Sequence, residues 1–254
     1  MSDVQIANID TLLSFSDSKI SPDGYKRLLI NHNLNPNSIL DMGEYFLIDR
    51  FIYFYKGYPI RIAYQYNYLE QIKFLMLSKT ILDEFLSSGN FTSKLYYTFP
   101  ENQYVNIINE KFFSWNKTEK AFNFVIDTFK KSDYSSTSID LFILKESFKN
   151  SNKYNKERSI QYIKDNYNVI NNKVKIYRGV QSKSSPLEKS LSWTLDKDTA
   201  LFFTRRFKSE INYLYETVVD LNNIIGFFES EKEIVVEYKN LKDEIIKESI
   251  THKV

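Results

Sequence analysis

Chemistry in this chain has to run on carboxylates, arginine and hydroxyl groups. The sequence holds no cysteine, which removes disulfides, thiolate nucleophiles and every Cys-based zinc or iron-sulfur site. Its two histidines are His32, in the turn-like run Asn31-His-Asn33, and His252, close to the last residue. A His-based triad or a multi-His metal centre has little to draw on. What remains is gathered in three pieces of the final third: Lys175-Ile-Tyr-Arg178-Gly179, then Ser190-Leu-Ser192-Trp-Thr194, then Phe227-Phe228-Glu229-Ser-Glu231-Lys-Glu233-Ile-Val-Val236. Taken singly they read as a surface arginine after a strand, a turn serine and a solvated charge run. Taken in order they offer a guanidinium, a hydroxyl and clustered carboxylates. A carboxylate held beside a sugar ring stabilises an oxocarbenium-like cation without any metal, as glycosidases illustrate.

With 14 residues from Arg178 to Ser192 and 41 from Ser192 to Glu233, this order resembles the aromatic-Arg, Ser-x-Ser/Thr and Glu-x-Glu pattern of the arginine-type mono-ADP-ribosyltransferases. The resemblance covers about residues 174 to 238. It implies a compact split β-sheet core with NAD in a central cleft, and transfer of ADP-ribose from NAD to a protein arginine with release of nicotinamide. In that family Glu233 occupies the place of the catalytic glutamate, and Ile234-Val-Val would hold it on a strand. Glu231, two residues earlier, would project to the same side of an extended chain and would orient the acceptor arginine. Arg178 would grip a diphosphate oxygen of NAD, and Gly179 would let backbone approach the nicotinamide amide. Ser192 would orient Glu233, and Thr194 would start the next strand or cap. Arg205, Arg206 and Phe207 fall where the family places its phosphate and nicotinamide loop. Phe227 and Phe228 are expected on an exposed turn, as apolar contacts to the target. The interval from Arg178 to Ser192 leaves less room for a loop over the cofactor than the larger toxin members have.

Asp196-Lys-Asp198 could suggest a metal-binding Asp-x-Asp, but acid just before Thr199-Ala-Leu-Phe202 is what a helix N-cap and first turn require. No metal site is foreseen. Gly-x-Gly-x-x-Gly, P-loop and Gly-x-Ser-x-Gly sequences are absent, removing the commonest nucleotide and hydrolase signals.

The elements that must position these residues follow from periodicity. Val4 to Leu13 has apolar residues at helical intervals, and Ser21-Pro22 opens a second helix through Leu28 and Leu29. Glu44 to Tyr64 reads as two strands around Lys56-Gly57-Tyr58-Pro59. Helices are expected over Tyr68 to Ser87, stopped by Ser88-Gly89-Asn90, and over Gln103 to Phe113, Thr118 to Lys131 and Ile139 to Lys149. Lys149 to Glu157 is polar throughout and reads as an exposed connection. After another helical stretch, Val174 to Val180, Tyr213 to Leu221 and Glu233 to Tyr238 are short β-branched and aromatic runs with one helix near Asp198 to Phe207.

The expected fold is therefore α+β: a helical N-terminal region with a β hairpin over residues 1–70, then a catalytic domain over 71–254 with its core at about 160–240. The 254 residues are 43% hydrophobic and 26% charged, a globular composition, and 34 basic against 32 acidic residues leave a net charge of +2. Such a balance supplies no overall field toward nucleic acid or an anionic membrane, although Lys/Tyr-rich stretches leave nucleic acid open as an acceptor. Met1 to Phe15 carries Asp3 and Asp10 and no basic n-region, and no run of about 18 apolar residues occurs, so a cytoplasmic location without membrane contact is expected. The expected origin is a bacterial toxin or a phage effector that modifies host proteins. The rival from another class is an inactive ADP-ribosyltransferase-like module that binds a partner through its N-terminal region.

Overall fold

The computed structural model describes residues 5–7, 9–14, 20–41, 50–62, 67–89, 103–131, 139–182, 184–206, 212–241 and 245–250. The chain is a mixture of helices and antiparallel sheets and divides into two compact units, Met1–Leu144 and Lys145–Val254.

In the first unit, β1 (Gln5–Ile6), β2 (Ile39–Asp41), β3 (Phe51–Tyr55) and β4 (Tyr58–Arg61) form a four-stranded sheet in that order. The helices are α1 (Ile9–Ser14), α2 (Pro22–Asn31), α3 (Tyr68–Ser88), α4 (Tyr104–Lys111) and α5 (Glu119–Lys131). The start of the chain departs from expectation: Gln5 and Ile6 pair with Asp41 and Leu40 on the edge of β2 rather than extending α1, whose helix begins at Ile9. The hairpin forms with Lys56 and Gly57 both at positive φ, 51° and 86°, and Tyr55 faces Tyr58. That is the two-residue turn whose twist suits antiparallel strands. Pro59 therefore lies within β4, tolerated because β4 is an edge strand. The expected strand residues at 44–49 and 63–64 lie outside the described residues.

The two compact units meet at Leu144/Lys145, and residue 70, the expected limit of the N-terminal region, falls inside the first of them. Residues before 70 are tied to α3 by Tyr25, whose buried hydroxyl donates to Gln71 Oε1 at 2.9 Å, and by Tyr55 and Lys56, which reach Asp83 at 3.0 and 2.7 Å. Tyr58 also donates to Glu110 at 2.7 Å. Cutting there would split one core, in which Phe85 meets Trp115 and Phe124 with ring centroids 5.3 and 5.1 Å apart.

In the second unit, β5 (Val169–Ile170), β6 (Lys173–Gln181), β7 (Ser192–Thr194), β8 (Asn212–Asp220), β9 (Gly226–Phe228), β10 (Glu233–Val235) and β11 (Ile246–Ser249) make one sheet of order β11-β8-β6-β7-β10-β9, with β5 on β6. Three helices accompany it: α6 (Leu141–Asn150), which begins just before the boundary, α7 (Lys156–Asn166) and α8 (Lys197–Arg205). One face buries Val174, Ile176, Trp193, Val219, Phe227 and Ile234 against Ile163 of α7. Burying that apolar face supplies the main driving force for this unit. The polar connection after α6 is less exposed than expected, since Ser151 is buried and Tyr154 packs edge-on to Phe228 at 5.5 Å.

Among the described residues no helix is long and apolar enough to cross a membrane.

Candidate functional site

Arg178, Ser192 and Glu233 lie on β6, β7 and β10, three neighbours in the sheet. The register explains how Ser192 and Glu233, 41 residues apart in sequence, meet; Arg178 holds the alternate position to Tyr177 and is joined to the main-chain carbonyl of Ser192. Tyr177 faces Thr194, Thr194 faces Glu233, and Ser192 faces Val235. Directly opposed residues and those two apart share a face, so Ser192, Thr194 and Glu233 project together while Trp193 and Ile234 enter the core. Ser192 Oγ donates to Glu233 Oε1 at 2.6 Å, the length of a hydrogen bond to an ionised acceptor. Arg178 Nη1 donates to the main-chain carbonyl of Ser192. All three side chains are half-buried, sheltered enough to be held and open enough to be reached.

The expected alignment of Glu231 with Glu233 is corrected. Glu229–Glu231 form a 3-10 turn and Lys232 follows at φ 52°, in the left-handed region. The chain is therefore not extended between the two glutamates, and alternation does not relate their side chains. Glu231 is exposed. The turn that carries it is fixed by its far end: Lys232 O accepts from Leu195 N at 2.9 Å and Thr194 Oγ1 at 3.2 Å, and Lys232 Nζ lies 3.4 Å from Asp196 Oδ1. Thr194, expected to start a strand or cap, ends β7 and does this anchoring; its hydroxyl also accepts from Asp196 N at 3.1 Å.

Phe227 and Phe228 are not surface contacts. They are 4% and 2% exposed. Phe227 lies against Tyr162 of α7 at 5.6 Å between centroids, and Phe228 against Phe148 of α6 at 5.8 Å. The exposed part of this segment begins one residue later, at Glu229.

Gly179 is approached by protein rather than left open. A Cβ there would lie 2.0 Å from Ala200 O and 3.0 Å from Thr204 N, so its bare Cα is what lets α8 lie directly on β6. Gln181 Nε2 reinforces the contact by donating to Phe203 O at 2.5 Å. Arg205 and Arg206 are exposed at the end of α8, with the Arg206 guanidinium 5.9 Å from the Phe203 ring centre; Phe207 lies outside the described residues. The helix starts at Asp196, whose Oδ2 accepts from Thr199 N at 3.0 Å and Thr199 Oγ1 at 2.6 Å. The cap is therefore Asp196, with Asp198 in the first turn.

Tyr177 is the aromatic residue of the aromatic-Arg pattern and was given no role of its own from sequence. It stands opposite Glu216, which pairs with Lys175 at 2.6 Å, and burial together with the Glu216 charge raises its phenol. An aromatic residue directly before Arg178 was the available signal.

No protein-family model matches the chain, and comparison with curated proteins and with solved structures found no match.

Proposed function

We propose that this protein is an NAD-dependent mono-ADP-ribosyltransferase acting on a protein arginine. One observation carries this: Arg178, Ser192 and Glu233, chosen from sequence for their type, order and spacing, sit on adjacent strands, with Arg178 bonded to the main-chain carbonyl of Ser192 and the Ser192 hydroxyl bonded to Glu233. The chemistry uses each. The ribose C1′–nicotinamide bond breaks, its electron pair neutralises the pyridinium nitrogen, and Glu233 stabilises the oxocarbenium that remains. Ser192 keeps that carboxylate aimed. Arg178 would grip a diphosphate oxygen of NAD through its guanidinium. An arginine nitrogen of the acceptor then forms the new bond to C1′ and loses a proton, with exposed Glu231 as the base.

The test is incubation of the full chain with NAD and an etheno-labelled analogue, alone and with bacterial lysate, following nicotinamide release and label on protein. Release with label on an arginine is the expected result. A folded chain that yields neither leaves the fold as a binding module and ends the proposal.

A further inference from the structure

A cavity of about 690 Å³ in the second unit shares no lining residue with Arg178, Ser192 or Glu233. It lies beyond the end of β10, where Glu237 follows Glu233 by four residues. Its charged lining groups are Lys145, Lys149, Lys156, Glu157 and Glu237. Glu237, 6% exposed, is already matched: it pairs with Lys145 and, at 2.7 Å, with Lys239. Burial pushes its carboxyl up, and the two ammonium groups outweigh that push and hold it below the usual glutamate range.

Lys149 and Lys156 are different. Lys149 stands one helical turn from Lys145 on the same side of α6, and Lys156 donates to Asn222 O at 2.9 Å. Neither forms an ion pair with a described residue. Burial draws the Lys156 amine below its ordinary value, the behaviour of an ammonium that has lost water without gaining a countercharge. The other walls are apolar at Ile160, Ile224 and Ile225 and carry amides at Asn223 and Asn240.

We propose that this cavity is a second binding site, for a phosphorylated small molecule of nucleotide size. The phosphate would lie between Lys149 and Lys156, which act as point charges toward its oxygens. The ring would rest on Ile160 and Ile224, with the amides meeting its polar edge. The volume falls in the range of small-molecule pockets and exceeds what a bare phosphate fills.

Calorimetric titration of the full chain with ADP as probe, and with adenosine and pyrophosphate as controls, tests this without relying on any activity. ADP should bind, and adenosine should bind about tenfold or more weakly, the loss of charge-assisted bonds. Lys149→Gln combined with Lys156→Gln should weaken ADP by a similar factor, and arginine at both positions should restore it. Arg178→Gln should leave the lysine-dependent share of ADP binding intact, because ADP held in the proposed NAD cleft through its diphosphate depends on Arg178 and not on the two lysines. If the double variant fails to fold by circular dichroism, the exposed Lys149→Gln alone should still weaken ADP about threefold. Absence of ADP binding to the unaltered chain, or binding lost with Arg178→Gln and kept in the lysine variants, overturns the proposal.

Discussion

Ser192 Oγ donates to Glu233 Oε1 at 2.6 Å, joining residues 41 apart in the chain across β7 and β10. The two are not directly opposed; Thr194 is the residue that faces Glu233. The hydroxyl reaches diagonally along one face of the sheet, so it fixes a carboxylate rotamer that strand pairing alone leaves free.

Glu233→Gln should therefore remove nicotinamide release, lowering kcat by about 10² to 10³ through loss of the charge that meets the cation. Ser192→Ala should cost about 10- to 100-fold, the worth of one hydrogen bond to a charged group, with KM for NAD little changed. Steady-state kinetics on both variants checks this, and Ser192→Ala at full kcat would remove the orienting role.

Glu231→Gln should act differently in kind. Glu231 is exposed on a turn whose anchors are Thr194, Leu195 and Asp196, so its replacement leaves the Ser192–Glu233 bond intact. Hydrolysis of NAD to ADP-ribose should persist while transfer to arginine falls by about 10² or more. Parallel loss of both reactions in the same proportion contradicts a separate acceptor role.

Of the strands of the second unit, β6, β8 and β10 were legible because β-branched and aromatic runs have few other uses, whereas β5, β9 and β11 were not foreseen. The hydrogen bond between Ser192 and Glu233 agrees with the orienting contact expected from residue type, order and spacing. The relation of Glu231 to Glu233 was not legible, since Lys232 enters the left-handed region without being glycine or asparagine, and only the hydrogen bonds from Thr194 and Leu195 reveal why. The burial of Phe227 and Phe228 depends on Tyr162 and Phe148, partners 65 and 80 positions away that the neighbouring glutamates give no hint of.

Phe227→Ala and Phe228→Ala should accordingly destabilise rather than impair target recognition. Removing a buried ring costs about 3 to 5 kcal/mol, seen as a lower urea midpoint. For whichever variant remains folded, KM for the acceptor should match that of the unaltered chain; a selective rise in that KM would return the ring to the surface role.

Gly179→Ala should be poorly tolerated although its backbone is ordinary extended strand. The added methyl meets Ala200 O at 2.0 Å, a main-chain atom that no rotamer change can move, so α8 must lift off β6. About 3 kcal/mol and a fall in melting temperature of about 6 °C or more follow. Thermal unfolding of the full chain measures it, and an unchanged melt would mean that α8 does not lie this close.

Asp196 links the cap of α8 to the glutamate turn, and its ionisation should be visible in stability. The Thr199 hydroxyl, together with the Thr199 amide and Lys232, holds this carboxyl below the usual aspartate value of 3.8 against the opposing push of burial. A folded-state value below the unfolded one means that the unfolded chain takes up the proton first as acid is added. The stabilisation is thus complete above about pH 4 and is lost as pH falls through the lower, folded value. Asp196→Asn keeps a capping oxygen but cannot titrate, so the unaltered chain should exceed it in stability at pH 7 and the gap should close toward pH 3. Asp196→Ala should cost about 1 kcal/mol from the lost cap alone. Urea unfolding at pH 7, 5 and 3 on the three proteins decides it: a gap between Asp196 and its asparagine variant that is as wide at pH 3 as at pH 7 would show that the carboxylate charge contributes nothing to holding α8 and the turn together.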